Sequence, residues 1–141
     1  MKSFRWQNRM RFHQADPAGW MFFGRAFELA HDCMEDLLIE AGFPWKDWFA
    51  NAQYAMPIRQ AQADYRRPIP AGALYEVEAV VKRLGETSVS FQFTFKTGGE
   101  TALVLDSTHV LLDVKAKAPT PWPAEFRERL AAYQSTEGAN T

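Results

Sequence analysis

The segment HQADPAGWMFFGRAF, from His13 to Phe27, joins two different periodicities and so decides how the chain folds. Ahead of it, Phe4, Trp6, Met10 and Phe12 share one face, interrupted by Asn8, while Arg5, Gln7, Arg9 and Arg11 take the other. A period of two predicts a strand over Phe4 to Phe12 with one buried and one wet side. Asp16-Pro17-Ala18-Gly19 ends that strand, because proline has no N–H to donate and glycine admits a positive φ. From Gly24 to Ala41 the period changes. Phe27, Ala30, Met34, Leu37, Leu38 and Ala41 follow helical spacing, and Glu28, Asp32, Glu35, Asp36 and Glu40 fill most other positions. Gly42 stands where a helix ends, and Pro44 keeps it from resuming. The spacing predicts one long helix of about five turns.

Working outward, Trp45 to Ala52 reads as a short helix or compact loop, and Tyr54 to Tyr65 as extended chain. Arg66 to Gly72 is a turn-rich break. Tyr75, Val77, Ala79 and Val81 alternate with Glu76, Glu78, Val80 and Lys82, and Gly85-Glu86 predicts a hairpin turn. Val89, Phe91, Phe93 and Phe95 alternate with Ser90, Gln92, Thr94 and Lys96 before a second turn at Gly98-Gly99. Thr101 to Val114 is apolar enough for a strand covered on both faces. Lys115 to Pro123 is a connector, Ala124 to Tyr133 a short helix, and Ser135 to Thr141 a disordered tail. Hairpins imply antiparallel pairing, and one helix against one such sheet is an α+β layer architecture in a single domain over residues 1–134. A lone sheet with apolar positions such as Val104, Val110, Leu112 and Val114 predicts a homo-oligomer, either homodimer or homotetramer.

Composition limits the function. With 16 basic and 17 acidic residues the net charge is −1, so neither nucleic acid nor an acidic membrane is an expected partner. Cys33, the only cysteine, excludes an internal disulfide, and the three histidines share no metal-ligand spacing. The Met1-Lys2-Ser3-Phe4-Arg5-Trp6 opening has no signal-peptide core, which predicts a cytoplasmic protein without metal or cofactor. Aromatics reach 14%, enough for an aromatic core, a site for a flat ligand, or both.

On the residues alone, Asp16 before Pro17-Ala18-Gly19 is good turn chemistry, and a carboxylate beside a helix start is also a place for catalysis. The strand, turn and long helix, with Phe12, Asp16, Gly19 and Phe23 in place, resemble the hotdog-fold acyl-CoA thioesterases of the 4-hydroxybenzoyl-CoA thioesterase family. The resemblance extends to about Val114. Ala55-Met56-Pro57-Ile58, Ala63-Asp64-Tyr65, Ala30-His31-Asp32 and Thr108-His109-Val110 look like the thioesterases acting on 1,4-dihydroxy-2-naphthoyl-CoA. It implies a curved antiparallel sheet wrapped around a central helix. It also implies hydrolysis of an acyl-CoA, with Asp16 as nucleophile or general base and the backbone N–H groups of Phe23 and Gly24 as oxyanion donors. Gly19, Trp20, His31 and Asp32 are the expected substrate contacts. Lys82, Arg83 and Arg59 are the expected partners of the CoA phosphates, with Arg66 and Arg67 behind them. His109, mid-strand, reads as structural. Two departures stand out: His13-Gln14-Ala15 lack the second acid that family members often carry, and His31 falls where members acting on 4-hydroxybenzoyl-CoA have an acid. The alternatives are a short-chain aliphatic acyl-CoA thioesterase and a non-catalytic module that binds acyl-CoA or aryl acids.

Overall fold

The computed structural model describes residues 2–44 and 53–135; the predicted short helix or loop at 45–52 lies outside them. Strand β1 (Phe4–Arg9) is followed by a single 3-10 turn (Phe12–Gln14) and helix α1 (Arg25–Glu40). Strands β2 (Tyr54–Ala55), β3 (Ile58–Tyr65), β4 (Leu74–Leu84), β5 (Ser88–Thr97) and β6 (Glu100–Val110) come next. Short β7 (Leu112–Asp113), β8 (Ala118–Pro119) and helix α2 (Ala124–Ala131) complete the order.

The main sheet is antiparallel throughout, in the order β1-β4-β5-β6-β3, while β2, β7 and β8 form a small second sheet. The alternation in the sequence is what packs this sheet on α1. Tyr75, Val77, Ala79 and Val81 of β4 are buried, as are Val89, Phe91, Phe93 and Phe95 of β5. They join Leu29, Cys33, Met34, Leu37 and Leu38 of α1 in one core. The expected α+β arrangement of one long helix against one antiparallel sheet is therefore present.

Several local readings change. β1 stops at Arg9, and Phe12, expected on its buried face, is 91% exposed at the start of the 3-10 turn. The bond from Arg11 N–H to the Gln14 side chain begins that turn, so Asp16 does not end a strand. The buried stripe of α1 is rotated towards Ala26, Leu29 and Cys33, which leaves Phe27 38% exposed. Pro57 interrupts the extended run from Tyr54, and the strand expected from Thr101 to Val114 breaks at Leu111, whose N–H bonds to Thr87 instead. Ser135, expected in the disordered tail, is fastened to the sheet by its N–H donating to the Val81 carbonyl; the rest of that expectation, 136–141, lies outside the described residues. Beside Ser135, Gln134 bridges to Val81 in parallel, beyond the Phe4 end of β1.

At the far end of α1, Gly42 takes φ +97°, with Phe43 N–H bonded to the Leu38 carbonyl. Arg129 of α2 donates to the carbonyls of Ala41 and Gly42, placing a cation at the negative helix end. This leaves the opposite end of α1, with its positive dipole, next to the Asp16 loop.

Candidate active site

The Asp16 loop is fastened by backbone bonds. Asp16 N–H donates to the Trp20 carbonyl at 2.8 Å, and Gly19 N–H to the Asp16 carbonyl at 2.9 Å. One carboxylate oxygen of Asp16 accepts from Ala18 N–H at 2.9 Å. Gly19 sits at φ +85°, a conformation other residues adopt only with strain. Its N–H and φ close the turn, and its carbonyl accepts from Ala71. The turn reading of Asp16 is met, since its side chain caps the turn, and a carboxylate has acceptor positions beyond the one used here.

The loop is bonded to the start of α1. Phe22 N–H donates to the Gln14 carbonyl at 2.8 Å, and the Arg25 guanidinium spans the His13 carbonyl and Glu28. Two planar peptide units lie between Phe22 and Gly24. The carbonyl of the first, on Phe22, accepts from Arg25 N–H at 2.9 Å; that of the second, on Phe23, accepts from Ala26 N–H and from the Tyr65 hydroxyl. Their N–H groups, on Phe23 and Gly24, make no hydrogen bond among the described residues. Unpartnered N–H groups at the start of a sixteen-residue helix are an anion-stabilising arrangement. A Cβ on Gly24 would come within 3.1 Å of the Phe22 ring, while its φ of −67° is open to any residue. Side-chain space, not backbone freedom, is what glycine provides here.

Two clefts flank this start. One, of about 330 Å³, is lined by Trp20, Met21, Phe23, Tyr65, Arg66, Arg67, Pro68 and Ile69. Arg66 and Arg67, second choices in the sequence, are thus brought together with Trp20 and Phe23; they pair with Asp64 at 3.0 Å and Glu100 at 2.8 Å, across solvent. The other cleft runs along α1 past Phe27 and His31 and lies between the helix and strands β3, β5 and β6. It contains His109, which sequence reasoning set aside. The available signal was the inward face of β6, where Ser107 and His109 follow the apolar Leu103 and Leu105.

The other predicted residues disperse. His31 is half-buried, with Nδ1 3.6 Å from Glu35, and faces His109 closely enough to disfavour its protonation. Asp32 is exposed on the flank towards Tyr75. Its carboxyl pKa is raised, first by the partial desolvation of its inner side and then by Asp36 and Glu28, with His31 opposing. Lys82 is 3.7 Å from Asp106 on the outer face of the sheet. Arg83 and Arg59 are exposed at irregularities in β4 and β3. Cys33 is buried in the core and its thiol is pushed up to about 12 by burial, then by Asp36 and Asp32, so it is held protonated.

Against known proteins, residues 10–130 match the profile of the Thioesterase-like superfamily. A 1,4-dihydroxy-2-naphthoyl-CoA hydrolase of Trichodesmium erythraeum (strain IMS101) is 29% identical over 136 residues, covering 94% of this chain and 99% of that protein. One from Nostoc punctiforme (strain ATCC 29133 / PCC 73102) is 27% identical over 140 residues, covering 97% and 93%. The crystal structure of a 1,4-dihydroxy-2-naphthoyl-CoA thioesterase from Synechocystis superposes with a TM-score of 0.86 over 92% of this chain and 96% of that one. At 14% identity, that likeness concerns the fold.

Proposed function

The chain belongs to the thioesterase-like superfamily, and from that premise we propose that it hydrolyses an aryl-CoA thioester to the free acid and CoA. The observation that carries the proposal is the pair of unpartnered N–H groups on Phe23 and Gly24, at the positive end of α1 and tied by hydrogen bonds to the loop that bears Asp16. The 1,4-dihydroxy-2-naphthoyl-CoA hydrolases matched over almost their whole length support an aromatic acyl group.

In this reading the thioester carbonyl lies at the start of α1 and the Phe23 and Gly24 N–H groups stabilise its oxygen as charge develops. Asp16 supplies the attack in one of two ways. As nucleophile its carboxylate bonds to the acyl carbon, the C–S bond breaks, CoA leaves as the thiolate, and water cleaves the resulting anhydride. As general base it takes a proton from water, whose oxygen bonds to the same carbon; the C–S bond then breaks and CoA leaves as the thiolate. Single turnover in ¹⁸O-water separates them: label in Asp16 after turnover marks the anhydride route. The pantetheine arm leaves through the cleft lined by Trp20, Arg66 and Arg67. The phosphates contact basic side chains drawn from those two arginines, Lys82, Arg83 and Arg59.

A second copy of the chain completes the assembly. β3 is an edge strand exposed at nearly every position, and Ile58, Tyr65, Phe27, Phe22 and Phe23 form an uncovered apolar margin beside it. Among the described residues no helix is long and apolar enough to cross a membrane. A cytoplasmic location, where CoA thioesters are made and used, goes with this reading.

The test is kcat/KM across benzoyl-, 1,4-dihydroxy-2-naphthoyl- and short aliphatic CoA thioesters. Preference for an aryl thioester is the expected result. A higher value for the aliphatic thioesters overturns the acyl assignment, and tight CoA binding without turnover of any thioester overturns the activity.

A further inference from the structure

A small hairpin connects the two halves of the site. Ala15 bridges Met21 in antiparallel register, with Phe22 N–H bonded to the Gln14 carbonyl and Asp16 N–H to the Trp20 carbonyl, each at 2.8 Å. Asp16 stands at the end of the first leg, and the second leg runs directly into the unpartnered N–H groups of Phe23 and Gly24. That second leg is also fastened from outside, since Met21 N–H donates to the Ile69 carbonyl and the Gly19 carbonyl accepts from Ala71. The first leg has no such backing. Between Met10, whose N–H is bonded to the Ala73 carbonyl, and Asp16 the chain crosses a 3-10 turn that buries none of its residues. Hydrogen bonds, not packing, hold that turn.

Those bonds converge on Gln14. Its side-chain oxygen accepts from Arg11 N–H at 2.9 Å, its own N–H donates to the Arg11 carbonyl at 3.0 Å, and its carbonyl takes Phe22 N–H. The side chain thus closes the turn on Arg11, while the backbone grips the residue just before the two open donors. Other ties of the turn are longer: Ala15 N–H to the Phe12 carbonyl at 3.2 Å, and the Arg25 guanidinium to the His13 carbonyl at 3.4 Å. Resting on the thioesterase reading above, we infer that Gln14 is a positioning residue: by holding Arg11 N–H, its side chain fixes the Asp16 leg relative to the Phe23 and Gly24 donors. The attacking group and the donors that receive the developing charge have to be aligned together, and a displacement of about 1 Å costs on the order of 10²-fold in rate. Gln14 does this without charge. An amide oxygen accepts an N–H as a carboxylate oxygen does, so the second acid missing from His13-Gln14-Ala15 is not required for the hold.

Three variants test it. Gln14→Met keeps the length and Gln14→Ala removes the stem, so both lose the strong acceptor, whereas Gln14→Glu keeps it. Gln14 is half-buried and outside the core, so the melting temperature should move little. On the preferred thioester of the panel above, kcat should fall about 10- to 100-fold in Gln14→Met and Gln14→Ala, with KM changed much less, and Gln14→Glu should recover most of it. In hydrogen-exchange NMR the Phe22 amide, bonded to the Gln14 backbone, should exchange about tenfold faster in both acceptor-less variants and regain its protection in Gln14→Glu. Wild-type kcat in the acceptor-less variants overturns the inference and leaves the thioesterase reading intact. So does a loss of kcat that Gln14→Glu does not repair, or failure of both acceptor-less variants to fold. A wild type that hydrolyses no thioester overturns the thioesterase reading. Exchange then decides the inference: Gln14-dependent protection of Phe22 supports the hold, and unchanged exchange overturns it.

Discussion

The Tyr65 hydroxyl donates to the carbonyl of Phe23, joining the end of β3 to the turn that opens α1. That carbonyl and the Gly24 N–H belong to one planar peptide unit, so the bond that holds the one also orients the other. It polarises the peptide as well, making the N–H a better donor to an oxyanion. The sheet edge therefore sets the geometry of the helix start.

Tyr65→Phe tests this relationship. The change removes the hydroxyl from a residue that is 42% exposed, so little packing is lost. We expect kcat for the preferred thioester to fall about 3- to 30-fold with KM much less affected, because the misdirected N–H matters most when charge develops. Steady-state kinetics beside a thermal melt decide it: an unchanged kcat would mean that Ala26 N–H, also bonded to the Phe23 carbonyl at 3.3 Å, holds the peptide unaided.

Asp16→Asn separates the two roles of that residue. The amide oxygen of asparagine still accepts from Ala18 N–H, so the turn survives, but asparagine neither attacks a thioester nor takes a proton from water. Turnover should drop by about 10³-fold or more with the melting temperature little changed. Wild-type-like turnover by the folded variant would remove Asp16 from the chemistry and leave it a turn residue.

How much of this was readable beforehand varies by residue. The strand-to-helix change around Asp16 and the alternation of β4 and β5 follow from periodicities of two and 3.6, which are local properties of the chain. Phe12 and Phe27 were misplaced because alternation and helical spacing give a face only to within a residue or so. The Gln14 side chain starts a turn at Phe12, and the packing of Ala26 and Cys33 rotates the stripe past Phe27. His109 was read as structural, and its hydrogen bonds, to Ser107 two residues away on the same face and to the Met56 backbone, tie its ring into the core. The tie from Tyr65 to Phe23 spans 42 positions and leaves no local mark on the sequence.

The exposed margin along β3 predicts self-association. Ile58 is 55% exposed at the start of an edge strand, so Ile58→Lys costs the isolated fold little. It places a charge where a second copy would pack. Sedimentation should find the wild type as a dimer or larger and the variant shifted towards monomer. A wild type that sediments as a monomer at micromolar concentration would sink the prediction.

The last prediction concerns acid stability. Burial, the proximity of His31 on α1 and the apolar walls keep the His109 ring unprotonated in the folded protein down to about pH 4, whereas an unfolded histidine takes up a proton below about 6.5. Between those values the unfolded chain binds more protons, so stability rises with pH across this window. His109 thus leaves the folded state at full stability above about pH 6.5. Its contribution is lost progressively as pH falls towards 4, a loss on the order of 3 kcal/mol if burial is complete. His31, with Glu35 3.6 Å away, is the titratable neighbour that faces the ring, and Ser107 is its neutral partner. In His109→Gln the amide has no such proton to take up. Urea unfolding at several points from pH 7.5 to 4.5 should therefore give a shallower acid limb for the variant than for the wild type. Carboxylates shared by both proteins cancel in the comparison, so parallel acid limbs would mean that His109 is protonated in the fold more readily than its burial implies.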